Sequence, residues 1–330
     1  MIISKTPFRI SLFGGGTDFP KYYEKYNGKV IGFTFDRYNY ILFRSKFQNN
    51  HNKFNINYSK NEKVNNINNI KHPSVRETLK YLKFKDPFEL HYNGELPARS
   101  GLGTSSAFTV GLLKILQTIK KKNFSALEIA KKAIDIEQNK IKEIVGSQDQ
   151  FYASLGGFKK ISFTKENIRC KNVNISNLNK KKLEDSMMLV FTGRVRNAEK
   201  IEKQKLQMFE KNLKALDELK DYVDICEDIL LKENLNIKEL GKLMHESWLL
   251  KSSLHKNVSN SLINQMYKKA KKNGCSGGKI LGAGGGGFLL LLMEKNQKKK
   301  IRRIFNKYYC IDIKINAKGS EIISKTTDYI

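Results

Sequence analysis

The chain lacks most of what marks a secreted, metal-holding or membrane-spanning protein. Its four cysteines, Cys170, Cys226, Cys275 and Cys310, lie far apart and make no CxxC pair. That argues against a disulfide framework or a zinc site and suits a reducing compartment. No stretch approaches ~18 uninterrupted apolar residues, so no membrane-spanning helix and no membrane partner is expected. Met1 to Pro7 lacks the basic-then-apolar layout of a signal peptide, which makes the cytoplasm the expected location. The five histidines form no cluster with metal-ligand spacing. His245-Glu246 lacks the second histidine of a zinc-protease helix, since position 249 is Leu249.

Acidic residues are also scarce. There are 32 Asp and Glu against 61 Lys and Arg, a formal charge of +29. Such an excess suggests nucleic-acid binding. The lysines are spread along the whole chain, however, with short clusters only at Lys120–Lys122, Lys180–Lys182 and Lys298–Lys300. Asn and Ile are abundant too, the bias an AT-rich genome produces. A solvated lysine-rich surface is the simpler reading, and no nucleic-acid partner is expected. A basic surface would still attract phosphorylated metabolites.

The 330 residues suffice for two domains, and 40% hydrophobic content fits a folded protein. Val30–Phe35 and Tyr38–Phe43 read as two strands, Pro87–Tyr92 as another, and Asn49–Lys71 as an irregular polar excursion. Phe108, Leu112, Ile115, Leu116 and Ile119 share one face of a helix over Ser106–Ile119. Ser125 with Glu128 makes a capping box for the next helix, and Ile144–Ser154 reads as a third. The lysine-rich stretch before the apolar strand Met187–Phe191 is the expected boundary between a domain over 1–185 and one over 186–330. Helices follow over Asn197–Leu219, Tyr222–Leu231, Asn236–Leu250 and Ser259–Asn273, with Asn197 and Asn236 as N-caps. Lys279–Leu281, Phe288–Met293 and Tyr309–Ile315 complete the pattern as strands. Helices grouped in the second half point to an α+β fold.

Three glycine-rich segments carry the chemistry. Pro97-Ala-Arg-Ser-Gly101-Leu-Gly103-Thr-Ser-Ser106 follows a strand and opens a helix. Free N–H groups and the positive end of the helix dipole make that junction an anion site. Hydroxyls there can also join the oxygen shell of Mg²⁺. An ordinary loop with Ser caps would look similar. The GxxxxGK[ST] loop is absent, and the spacing does not fit a dinucleotide fingerprint. Gly282-Ala-Gly-Gly-Gly-Gly287 lies between two apolar runs, where glycines imply that something comes close. Gly14-Gly-Gly-Thr-Asp18 places a carboxylate on a loop, suited to accept sugar hydroxyls; locally it also reads as an Asx turn.

Together, in this order, Pro7-Phe-Arg9 to Asp18, Pro97 to Ser106, and Lys279-Ile-Leu-Gly282 to Phe288 resemble the motifs of the GHMP kinases. The resemblance covers most of the chain. It implies ATP and Mg²⁺ as cofactors, and two domains, the first like domain 2 of ribosomal protein S5 and the second ferredoxin-like. It implies that Pro97, Arg99, Ser100, Gly101, Leu102, Gly103, Thr104, Ser105 and Ser106 wrap the ATP phosphates. Ser105, or its neighbours Thr104 and Ser106, would meet the metal with Glu137. Asp149 would be the catalytic aspartate, with Arg9 near the reacting hydroxyl. Gly14, Gly15, Gly16, Thr17 and Asp18, with Gly284, Gly285 and Gly286, are expected at the sugar. The Gly-Gly-Gly-Thr-Asp-Phe-Pro form and Gln148-Asp149-Gln150 look like the branch of the family that phosphorylates heptose 7-phosphate at C1. For a sugar that already bears a phosphate, Arg194 and Arg196 are the expected cations, with Arg99 a further candidate. The expected partner is thus a small sugar phosphate, and a homodimer is compatible with it. The rival readings are a kinase for another sugar such as L-fucose and a basic nucleic-acid-binding protein. The latter leaves the three ordered motifs unexplained.

Overall fold

The computed structural model describes residues 1–46, 52–195, 198–315 and 318–326. The chain opens with β1 (Ile2–Phe13), α1 (Pro20–Tyr26), β2 (Gly28–Ser45), β3 (Phe54–Asn57) and β4 (Asn61–Val64). Then come α2 (Pro73–Tyr81), β5 (Phe88–Gly94), α3 (Thr104–Ile119), α4 (Ala126–Ile134) and α5 (Asp149–Leu155). β6 (Phe158–Phe163), β7 (Ile168–Asn172), α6 (Asn177–Ser186), β8 (Met187–Phe191) and α7 (Ala198–Gln207) lead into the second half. That half holds α8 (Phe209–Leu231), α9 (Ile237–Ser253), α10 (Ser261–Lys272), β9 (Cys275–Ile280) and β10 (Phe288–Met293). It ends with α11 (Lys295–Ile304), β11 (Cys310–Ile311) and β12 (Glu321–Lys325). The result is α+β, as the pattern predicts.

β2 is one strand of 18 residues, where the sequence suggests two. On one edge it pairs with β1; on the other it pairs first with β6 and then with β5. The register against β1 shifts between Pro7 and Arg9, so β2 carries extra residues around Phe35–Arg37. Proline has no N–H for the ladder there. The bulged segment is held from the far end of the chain, by a bridge of Phe35 to Ile315 and by Asp36 N donating to Lys314 O. β3 and β4 extend the sheet beyond β5, and β12 closes its other edge on β1.

The second sheet has the order β11-β8-β10-β9. Its central strands are apolar throughout because both faces are buried. Met187, Leu189, Leu290 and Leu292 enter the main core shared with the first sheet, α3, α8 and α9. Met188, Val190, Leu289 and Leu291 alternate into a second core under α10 and α11, against Ile263, Met266 and Ile301. α3 is likewise enclosed on nearly every side rather than amphipathic, with most residues from Thr104 to Gln117 buried.

Several boundaries move. Residues 143–148 form a loop, so the helix expected over 144–154 begins only at Asp149. The break between α7 and α8 falls at Met208, not near 220, and β11 is two residues long. The caps at Ser125 and Asn236 form as the sequence predicts, with Ser125 and Glu128 bonding reciprocally. Asn197 lies outside the described residues. Among the described residues no helix is long and apolar enough to cross a membrane.

Candidate active site

The loop after β5 turns into α3 through two glycines with positive φ, Gly101 at 87° and Gly103 at 73°. Gly103 is the N-cap residue in the left-handed region, where a side chain costs about 1 kcal/mol or more. A Cβ there would also lie 3.2 Å from Arg9 Cγ and 3.3 Å from Asp149 Oδ2. The absence of a side chain lets the start of α3 sit against those two groups, with residues 103–106 lining the cleft.

Arg9, buried on β1, organises this junction. Its Nε and Nη2 each donate to one carboxylate oxygen of Asp149, both at 2.7 Å, and its Nη1 donates to Gly101 O at 2.6 Å. Its backbone N–H bonds Leu102 O at 3.1 Å. One guanidinium therefore fixes the glycine loop before α3 and the carboxylate at the head of α5 in a single two-pronged clamp. Asp149 remains partly open, its side chain 23% exposed.

Asp18 lies deeper. Gly16 N donates to its Oδ1 at 2.9 Å and Gln148 Nε2 to its Oδ2 at 2.8 Å. Burial, with the nearby Asp149 charge as a smaller contribution, raises its pKa above the usual value, while the Gly16 N–H opposes the shift. Gly146 presses against it: a Cβ at 146 would sit 1.9 Å from Asp18 Oδ2.

Glu137 is fully buried on a π-helical turn, Asp135–Lys140. Such widened turns frequently mark functional positions. Ser106 Oγ donates to Glu137 Oε2 at 2.8 Å and Gln150 Nε2 at 2.6 Å. The other oxygen, Oε1, is buried with no close hydrogen bond among the described residues, its nearest hydroxyl neighbour being Thr109. Burial and then the charge of Glu143 push the Glu137 pKa up to about 7. Ser106, not Ser105, is the hydroxyl that reaches Glu137; Ser105 is exposed on the cleft wall. A buried carboxylate with a spare oxygen beside a serine hydroxyl is an oxygen donor set that fits Mg²⁺.

The cleft brings together Arg9, Gly15, Gly16, Asp18, Arg99, Gly101, Gly103, Thr104, Ser105, Ser106 and Asp149. Other expected residues serve as its frame. Gly14 packs on Lys29 O, and Thr17 is buried with its hydroxyl on Gly14 O and Lys29 O. Leu102 is in the core, Ser100 is buried, and Pro97 is exposed. The third glycine run comes close to protein backbone instead of the cleft. A Cβ on Gly284 would meet Val258, one on Gly286 would meet Arg194 O, and one on Gly287 would lie 2.2 Å from Ser100 O. Gly285 N bonds Val258 O, and Phe288 N bonds Ser100 O. The run thus clasps the glycine loop before α3, and only Gly282 and Ala283 reach the cleft. Arg194 is exposed and its carbonyl accepts from Gly287 N, away from the cleft lining. Arg196 lies outside the described residues.

Sequence reasoning gave no role to Lys205, Glu202, Lys251, Lys279 or Gln148, all of which line the cleft. The visible signs among them were the lysine opening the apolar run Lys279-Ile-Leu and the Gln148-Asp149-Gln150 element.

A glycine-rich helix start, a clamped aspartate beside it and a buried acid behind it thus meet at one cleft. The model of the GHMP kinases N-terminal domain matches residues 68–157, and that of the GHMP kinases C-terminal domain matches 198–310. The chain belongs to the GHMP kinases, and its activity is that of an ATP-dependent sugar kinase. It is 30% identical, over 86% of both chains, to the D-glycero-alpha-D-manno-heptose 7-phosphate kinase of Campylobacter jejuni. Its structure superposes with TM-score 0.81 on a D-glycero-D-manno-heptose 1-phosphate kinase from Bacteriodes thetaiotaomicron, covering 99% and 100% of the two chains at 21% identity. A putative sugar kinase from Campylobacter jejuni aligns at TM-score 0.74 and 25% identity over 97% of each chain.

Proposed function

We propose that the protein transfers the terminal phosphate of ATP to the anomeric C1 hydroxyl of D-glycero-D-manno-heptose 7-phosphate. The product is the 1,7-bisphosphate, a precursor of nucleotide-activated heptose for surface polysaccharide. The cytoplasm is the corresponding location. The observation that carries the chemistry is the Arg9 clamp, which joins Asp149 to the Gly101 carbonyl.

Phosphoryl transfer requires placement and charge neutralisation more than covalent catalysis. The N–H groups at the start of α3 receive the nucleotide phosphates. Mg²⁺ would be held by Glu137 and Ser106, and when bound it neutralises charge on those phosphates. Asp149 has a free lone pair on each oxygen beside its bond to Arg9, and it takes or orients the proton of the attacking hydroxyl. Arg9 spends three of its five N–H donors on Asp149 and Gly101, leaving two for the transferring phosphoryl oxygens. Asp18, with Gln148 locking its orientation, accepts sugar hydroxyls on the far side.

Two measurements test this. Asp149→Asn is expected to lower kcat by about 10²–10⁴-fold while calorimetry still registers Mg-ATP binding. Wild-type turnover by the variant would remove Asp149 from the mechanism. ADP release over a panel of heptose 7-phosphate, free heptose and L-fucose should give the highest kcat/KM for the phosphorylated heptose. A higher value with L-fucose would replace the acceptor.

A further inference from the structure

Lys279 is only 4% exposed, yet it lines the cleft. One of its three donors is used, to Leu12 O at 2.7 Å. Among the described residues no carboxylate forms an ion pair with it. An ammonium so placed costs stability, because burial removes water and nothing returns a negative charge. Burial, and then the positive charge of Arg9, bring its pKa down to about 7. The other cations in the cleft wall are more fully engaged. Arg9 holds Asp149, Lys205 pairs with Glu202 at 2.7 Å, and Lys251 bonds the carbonyls of Ile280 and Gly282.

The position of Lys279 says which anion it awaits. Its acceptor, Leu12 O, lies at the end of β1, two residues before the Gly14–Asp18 loop, and the Phe13 ring is 6.0 Å from its Nζ. That sets the ammonium at the foot of the loop carrying Asp18, within range of the Arg9 charge.

We propose that Lys279 binds the phosphate ester already present on the acceptor sugar and sets the preference for a phosphorylated over a free sugar. This rests on the reading that the acceptor is a sugar phosphate, and it moves the phosphate-binding role away from Arg194.

The experiment compares kcat/KM for heptose 7-phosphate and for unphosphorylated heptose, at saturating ATP, in wild type, Lys279→Met and Lys279→Gln. The ratio of the two values should fall by about ten- to a hundredfold in Lys279→Met, through KM for the phosphorylated sugar. Lys279→Gln, which keeps a donor without the charge, should fall between. Equal losses on both acceptors would assign the ammonium to the transferring phosphoryl and overturn the proposal, as would an unmoved ratio. A second test uses wild-type protein alone and so does not depend on how the variants fold. Inorganic phosphate should inhibit competitively against the sugar phosphate; competition against ATP alone would also overturn the proposal. A wild type with no preference for the phosphorylated sugar would sink the acceptor reading itself, and the proposal with it. An intact preference that ignores Lys279 would sink the proposal alone.

Discussion

Glu137 and His72 are both buried titratable side chains, and they drive stability in opposite directions with pH. Burial holds the Glu137 pKa at about 7, against 4.5 when exposed. Between those values the folded protein keeps a proton that the unfolded chain has lost, so this contribution is full below about 4.5 and is lost as pH rises through 7. His72, stacked on Phe108, has its pKa pushed down by burial to about 4. The unfolded chain binds the extra proton there, so its contribution grows as pH rises from 4 to 6.5. A wild-type melting curve alone mixes the two. The difference between Glu137→Gln and wild type isolates one. Without Mg²⁺, the variant's melting temperature should rise relative to wild type from pH 5 to pH 7.5, at no more than about 1.4 kcal/mol per pH unit. Added Mg²⁺ at pH 7.5 should stabilise wild type more than the variant. A difference flat in pH would mean that Glu137 is ionised in the folded state across the range.

At the scale of elements, the loop between the π-helical turn and α5 positions Asp18. Ser147 N bonds Asp18 O at 2.8 Å, Gln148 holds its carboxylate, and Gly146 leaves it room. Gly146→Ala places a methyl group inside the space of the Asp18 carboxylate and must displace it. KM for the sugar is expected to rise by about 10- to 100-fold, with KM for ATP changing much less. Equal effects on both substrates would show that the loop serves the whole cleft. This loop also marks the limit of what the sequence discloses. Local chemistry was legible: the Ser125–Glu128 box, the helix opening after Gly103, and the doubly buried run Phe288–Met293 all depend on near neighbours. β7 (Ile-Arg-Cys-Lys-Asn) alternates over only two apolar positions, Ile168 and Cys170, and α11 buries little besides Ile301, so both patterns are too short to read. The continuity of β2 depends on Lys314 and Ile315, residues remote in sequence. In the site, the motifs single out Asp149, Arg9 and Asp18, which the structure brings into one cleft. The burial of Lys279 against Leu12 O was not legible, because the two residues are remote in sequence.

At the scale of the molecule, the surplus of cations acts on every ion pair at once. With 61 basic and 32 acidic side chains, few carboxylates are left over. Several are spent tying α8 to the first sheet. Lys29 and Lys160 both reach Asp224, and Lys160 also reaches Glu227 at 2.5 Å, with the Lys160 and Glu227 side chains 17% and 11% exposed. Removing one carboxylate there, as in Glu227→Gln, leaves Lys160 with a single partner and should cost about 1–3 kcal/mol, read from the urea midpoint. Salt then separates the local effect from the global one. Individual ion pairs weaken as ionic strength rises, whereas a charge of +29 repels itself less once the screening length falls to about 10 Å near 0.1 M. The global term involves every unpaired lysine, and the paired carboxylates at this junction are half-buried and poorly screened. Wild-type melting temperature should therefore rise with added NaCl, and Glu227→Gln, which adds one more unit of charge, should rise more steeply. A fall in both would mean that the ion pairs outweigh the repulsion, and that the lysine-rich surface is balanced locally in spite of its total.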